Sequence, residues 1–155
     1  MLILQMLICH LEASQAQTNI NMELPTKIAA DFQEILFFLK DYSNKHCTIE
    51  CCAFIGRKEG EFVAQILANR SPDPNSFFCV DPLDYLKFKN DKEFLFIFHS
   101  HPSSDEEFSE LDMANADACC LASLVYSVLT DKFAIYEPQN HEIDVNILNK
   151  VKGLL

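Results

Sequence analysis

The chain has 155 residues, 49% of them apolar, with 12 basic against 23 acidic side chains and a net charge of −11. That length and apolar fraction suit one domain with a substantial core and exclude a largely disordered chain. The acidic balance disfavours nucleic acid as a partner, because phosphate binding needs a basic face; with three glycines and neither GxxxxGK nor GxGxxG, a Gly-rich nucleotide loop is also excluded.

Residues 1–21 open with MLILQMLICHL, which is too short to span a bilayer. The first basic residue is Lys27, so the basic n-region of a signal peptide is lacking. The expected organisation is an N-terminal extension over 1–21, outside the fold, and one domain over 22–155, without stable membrane insertion. From Pro25, the residues Ile28, Phe32, Ile35, Leu36, Leu39 and Tyr42 recur at helical spacing, and Pro25 and Thr26 suit a first turn. Residues 48–56 read as a buried strand carrying Glu50, 57–60 as a turn, and 61–68 as the returning strand of a hairpin. A short strand is expected over 77–80. A short helix follows, with Asp81 as N-cap and Pro82 in its first position.

The run 94–98 is nearly all apolar and suits a strand buried on both faces. A helix over 113–121 and strands over 124–129, 133–136 and 143–147 complete an α+β domain on a mixed sheet flanked by helices. Seven cysteines, at 9, 47, 51, 52, 79, 119 and 120, include no CxxC and number an odd total. A disulfide framework is the poorer reading, and Cys47, Cys51, Cys52 and Cys79 are expected to be small buried apolar residues.

The chemistry concentrates after the apolar run, in His99-Ser100-His101-Pro102, six residues, then Ser109-Glu110-Leu111-Asp112. Alternate residues of an extended segment point the same way, so His99 and His101 project together, and Pro102 ends the strand. Two imidazoles and a carboxylate suit zinc better than calcium or magnesium, with a fourth position open to water. Glu50 is a carboxylate in an apolar stretch. By itself it reads as an edge-strand residue facing water; beside a three-ligand site it is the proton acceptor that hydrolysis requires. Ser109 is placed to donate to an oxyanion, although Ser-x-x-Asp before a helix is also close to a capping box that needs no metal. Asp105, Glu106 and Glu107 read as a solvated acidic loop, and His46 and His141 as ordinary histidines.

Glu50 followed by HxHPx6SxxD resembles the JAMM motif of the MPN/JAB metallopeptidases. The resemblance extends over roughly 22–138. It implies an MPN/JAB-like, cytidine-deaminase-like fold and one zinc ion per chain held by His99, His101 and Asp112. It further implies Glu50 as general acid/base and Ser109 as stabiliser of the tetrahedral intermediate in peptide or isopeptide hydrolysis. Asn69-Arg70-Ser71, residues 78–82 and residues 127–138 look like the prokaryotic branch found in phage tail-tip proteins of the lambda K type. That branch implies peptide, protein or peptidoglycan substrates, tail-tip partners, and a place in the host cytoplasm during assembly or in the virion tail. Outside a phage, the expectation is a cytoplasmic deconjugating or sulfur-carrier-processing peptidase. The expectation from another class is a non-catalytic MPN assembly scaffold.

Overall fold

The structure is a computed structural model and describes residues 24–155; the expectation for 1–21 lies outside the described residues. Among the described residues, six strands and four helices follow one another: β1 (Thr26–Ala29), α1 (Phe32–Lys45), β2 (Cys52–Lys58), β3 (Glu61–Leu67), α2 (Pro82–Asp91), β4 (Glu93–His101), α3 (Glu110–Cys119), β5 (Ser123–Ser127), β6 (Lys132–Tyr136) and α4 (Val145–Lys152). The sheet order is β1-β3-β2-β4-β5-β6. Every pairing is antiparallel except β4 with β5, which run parallel. The chain passes between those two strands through α3, the crossover that a parallel pair demands. The expected α+β class with a mixed sheet is therefore the fold, and β4 is the strand at which antiparallel pairing gives way to parallel.

The sheet is covered on both faces. On one, Phe32, Ile35, Leu36 and Leu39 of α1 pack on Ala53, Ile55, Phe96, Phe98 and Leu124. On the other, Cys52, Phe54, Leu67, Val80 and Phe88 form a second cluster, joined by Phe78, Tyr85 and Phe94. The alternation of Ala53 and Ile55 with Cys52 and Phe54 shows β2 buried on both faces. Each fully buried Phe contributes roughly 2–3 kcal/mol by burial of apolar area.

Several expectations shift. Residues 25–29 do not open the first helix. Asp31 caps it, accepting from the Gln33 amide at 3.1 Å, while Thr26–Ala29 pairs with β3 and leaves Ile28 57% exposed. Ile28 stands four residues before Phe32, so its spacing mimics the helical stripe. The strand expected over 48–56 begins only at Cys52, because the amide of Glu50 donates to the Pro74 carbonyl (2.7 Å) instead of to a ladder. It then runs on to Lys58, since Glu59 and Gly60 turn the chain with φ of 52° and 88°, the left-handed pair of a tight hairpin. Residues 77–80 form no strand. The 143–147 strand is instead the start of α4: Asp144 caps it by accepting from the amides of Asn146 and Ile147, and Leu148 and Val151 bury its inner face. Cys51 and Cys52 are buried as expected, but Cys47 is exposed and Cys79 only half-buried; the described cysteines carry no disulfide.

Gly56 sits at a register shift between β2 and β4. A Cβ there would lie 2.6 Å from the Glu93 carbonyl oxygen and 2.7 Å from the Phe88 ring. Gly56→Ala should therefore lower unfolding free energy by about 1–3 kcal/mol through overpacking, read as a reduced urea midpoint; an unchanged midpoint would mean that the bulge relaxes freely.

Candidate metal centre

The last residues of β4 point the histidines away from the α1 face. Cys52 pairs with His99, and carrying that antiparallel register two residues further sets Glu50 opposite His101. Ser100 faces the other way and locks this continuation, its hydroxyl accepting from the Cys51 amide and its amide donating to the Cys51 carbonyl, both at 2.9 Å. Strand alternation thus sets Glu50, His99 and His101 on one face.

Asp112 arrives from the first turn of α3. Its Oδ2 accepts from the Ser109 amide (3.0 Å) and from the Ser109 hydroxyl (2.6 Å), and its own amide donates to Ser109 Oγ at 3.1 Å. The capping box anticipated as the alternative for these two residues is therefore fully formed. It also aims the carboxylate, because the same Oδ2 lies 3.6 Å from His99 Nε2 and 3.9 Å from His101 Nε2. The two Nε2 atoms are 3.1 Å apart. Donors at about 2.0–2.1 Å around a tetrahedral zinc stand about 3.3 Å from one another; the histidine pair is close to that edge, and the two separations to Asp112 are a few tenths of an ångström longer. Among the described residues, His99, His101 and Asp112 are the single group of this kind.

The electrostatics fit a cation. His101 Nδ1 lies 2.6 Å from the Asp105 carbonyl, which can only accept. His101 therefore carries a proton on Nδ1, and in the neutral ring that tautomer turns the Nε2 lone pair inward. Burial of His99, 1% exposed, depresses its pKa against the opposing pull of Asp112. Burial raises the Asp112 carboxyl, but contact with His99 and the two Ser109 hydrogen bonds outweigh it and hold the group well below the usual range. Two imidazole nitrogens and one carboxylate oxygen thus converge on one point. Phe78 stacks on His99 at 4.7 Å and Phe108 meets its edge at 5.9 Å, fixing the ring.

Glu50 is 7% exposed. Burial, then repulsion from Asp112 and Asp73, pushes its pKa up to about 8. It is neither in the strand nor at a solvated edge. What holds it is Asn69, whose Nδ2 donates to the carbonyls of Glu50 and Phe77, each at 2.9 Å, while Oδ1 accepts from the amides of Ser71 and Cys79. Asn69 thereby supplies the pairing that the expected 77–80 strand would have found in a ladder. Sequence reading took Asn69 only as part of a flanking resemblance and missed its role; an Asn closing a strand and opening a loop with two prolines was the available signal. Asn69→Ala should cost about 1 kcal/mol by removing hydrogen bonds to partly buried backbone groups, and should speed amide exchange at Glu50 and Cys79 before the rest of the chain. Uniform exchange across the sheet instead would deny it this local role.

Ser109 keeps its hydroxyl proton on Asp112, so it can donate to another oxygen only after that hydroxyl turns. Asp105 is more than a solvated loop residue, since its carbonyl sets the His101 tautomer. His46 is an ordinary exposed histidine, stacked on Tyr42 at 4.1 Å.

With this geometry in place, the family model for prokaryotic homologs of the JAB domain matches residues 39–140. The chain belongs to this family. The matched JAB segment runs from the middle of α1 past β6 and contains all five residues singled out from the sequence. No curated protein matches the chain. The solution structure of protein DSY2949 from Desulfitobacterium hafniense is similar, with TM-score 0.51 and 22% identity, covering 66% of this chain and 77% of that one. At that identity the likeness speaks to the fold alone. Among the described residues no helix is long and apolar enough to cross a membrane.

Proposed function

We propose that this JAB-domain chain is a zinc-dependent hydrolase of peptide or isopeptide bonds. The observation that carries the reading is the convergence of His99 Nε2, His101 Nε2 and Asp112 Oδ2 beside a buried carboxyl, Glu50, that has no other evident purpose. His99, His101 and Asp112 would hold the ion, and zinc in that position would supply a polarised water near neutral pH. Glu50 takes the water's proton and passes it to the departing amine, which ordinary glutamates do poorly and one shifted toward neutrality does well. Ser109, after turning from Asp112, donates to the oxygen of the tetrahedral carbon.

A second reading, an assembly scaffold, draws on the capping box: Asp112 is satisfied by Ser109 without any ion, so α3 can dock with no metal. The two separate in one assay. Zinc-loaded protein is incubated with a library of linear and isopeptide-linked peptides, including peptidoglycan stem peptides suggested by the tail-tip resemblance of the flanking segments, and products are read by mass spectrometry. Zinc-dependent cleavage supports the hydrolase. Absence of cleavage across all of them, with zinc demonstrably bound, would favour the scaffold.

A further inference from the structure

The JAMM-like residues account for the donors of the centre but not for what keeps His101 in the tautomer that exposes its Nε2 lone pair. That tautomer depends on one carbonyl, Asp105, in the segment 102–109, which has neither helix nor strand. The segment is fastened on both sides of Asp105. Before it, the Ser127 hydroxyl donates to the Ser104 carbonyl at 2.6 Å. After it, the Thr130 hydroxyl donates to the Glu106 carboxylate at 2.5 Å, and Lys132 stands 3.7 Å from the same carboxylate.

Ser127 is fully buried and occupies the β5 position paired with His101 on β4. The next amide, that of Val128, donates to the His101 carbonyl at 3.0 Å, and Ser127 Oγ also accepts from the Thr130 amide at 3.0 Å. One hydroxyl therefore joins the strand beside His101, the turn after β5 and the loop that carries the orienting carbonyl.

We propose that Ser127, assisted by Thr130 through Glu106, is a positioning residue for the metal centre: it holds the Asp105 carbonyl on His101 Nδ1 and so keeps Nε2 free to bind the ion. The inference rests on the metal-centre reading above. Groups that orient a ligating histidine from behind typically change metal affinity ten- to a hundredfold when removed.

The test uses the full chain with zinc alone as probe. Affinity is measured by competition with a chromophoric chelator, and the His101 tautomer by long-range proton–nitrogen correlation on metal-free protein labelled with nitrogen-15 at histidine. Ser127→Ala should weaken zinc about ten- to a hundredfold and replace the Nδ1–H signature of His101 with a mixture. Thr130→Val, which severs only the Glu106 side, should shift both readouts in the same direction by less; it also carries the test should Ser127→Ala fail to fold. A lowered thermal midpoint with zinc affinity within about twofold of the parent and an unchanged His101 signature would mean a merely structural serine and overturn the proposal. If the parent protein binds no zinc, the hydrolase reading falls, while the tautomer comparison on metal-free protein still decides this one.

Discussion

Replacing His101 with alanine is expected to weaken zinc binding by about a hundred- to a thousandfold and to abolish zinc-dependent hydrolysis. Zinc sites with a full set of protein ligands bind with about 10–16 kcal/mol, so one ligand accounts for about 3–4 kcal/mol. His101 is the informative choice because it is the donor whose loss leaves the rest standing. The Ser109–Asp112 capping box lies on α3 and does not involve it, and His99 stays clamped by Phe78 and Phe108. Asp112→Ala would confound ligand loss with loss of a helix cap, itself about 1 kcal/mol. Asp112→Asn is the better companion, since it keeps an oxygen for the Ser109 donors while removing the charge. Calorimetric titration with zinc at neutral pH reads both variants. Undiminished affinity in His101→Ala would place any bound zinc elsewhere on the chain.

Glu50→Gln is expected to behave in the opposite way, binding zinc nearly as well as the parent while turnover falls by about 10²–10⁴, the usual scale of a lost general base. The carboxamide matches the carboxyl in shape, so the Asn69 and Pro74 contacts to the Glu50 backbone persist. Stability should respond as well. In the metal-free protein the Glu50 pKa lies at about 8, above the ordinary 4.5. The folded state therefore keeps a proton that the unfolded chain releases between those values, and stability declines as pH rises from about 4.5 through about 8. The sign is that of a buried acid that resists ionisation: its contribution is fully present below the unfolded pKa and lost above the folded one. Glu50→Gln cannot ionise, so its urea stability should stay flatter across the same window and exceed that of the parent at pH 8. A bound cation nearby lowers the Glu50 pKa by attraction, so zinc should reduce the pH dependence of the parent. Parallel pH profiles for parent and variant without metal would show that Glu50 is solvated and unsuited to the role.

How far these expectations could be read in advance depended on whether the relevant spacing was local. His99 and His101 are two apart in a strand, and Ser109 and Asp112 three apart at a helix start, so each pair shares a face by backbone geometry alone. The first helix was recognisable from its stripe but its start was not, because Ile28 continues the periodicity into what is an edge strand. The last helix reads as a strand in sequence because Ile143 and Ile147 resemble a short β run, whereas Asp144 as cap and the buried pair Leu148 and Val151 set its real period. Asn69 was overlooked because its importance lies in five partners brought together from 50 to 79 by the loop itself.

The candidate ligand set was thus legible in residue types and short separations: two imidazoles, one carboxylate and a serine, each arranged by its own stretch of backbone. Tertiary structure alone decided their mutual distances, which depend on α3 folding back over the end of β4. It also decided the state of Glu50. Whether a carboxyl near an apolar strand is solvated or forced up to about 8 turns on what covers it, and here the cover is a loop twenty to thirty residues further on. Desolvation and repulsion are properties of the assembled site, and no local pattern encodes them.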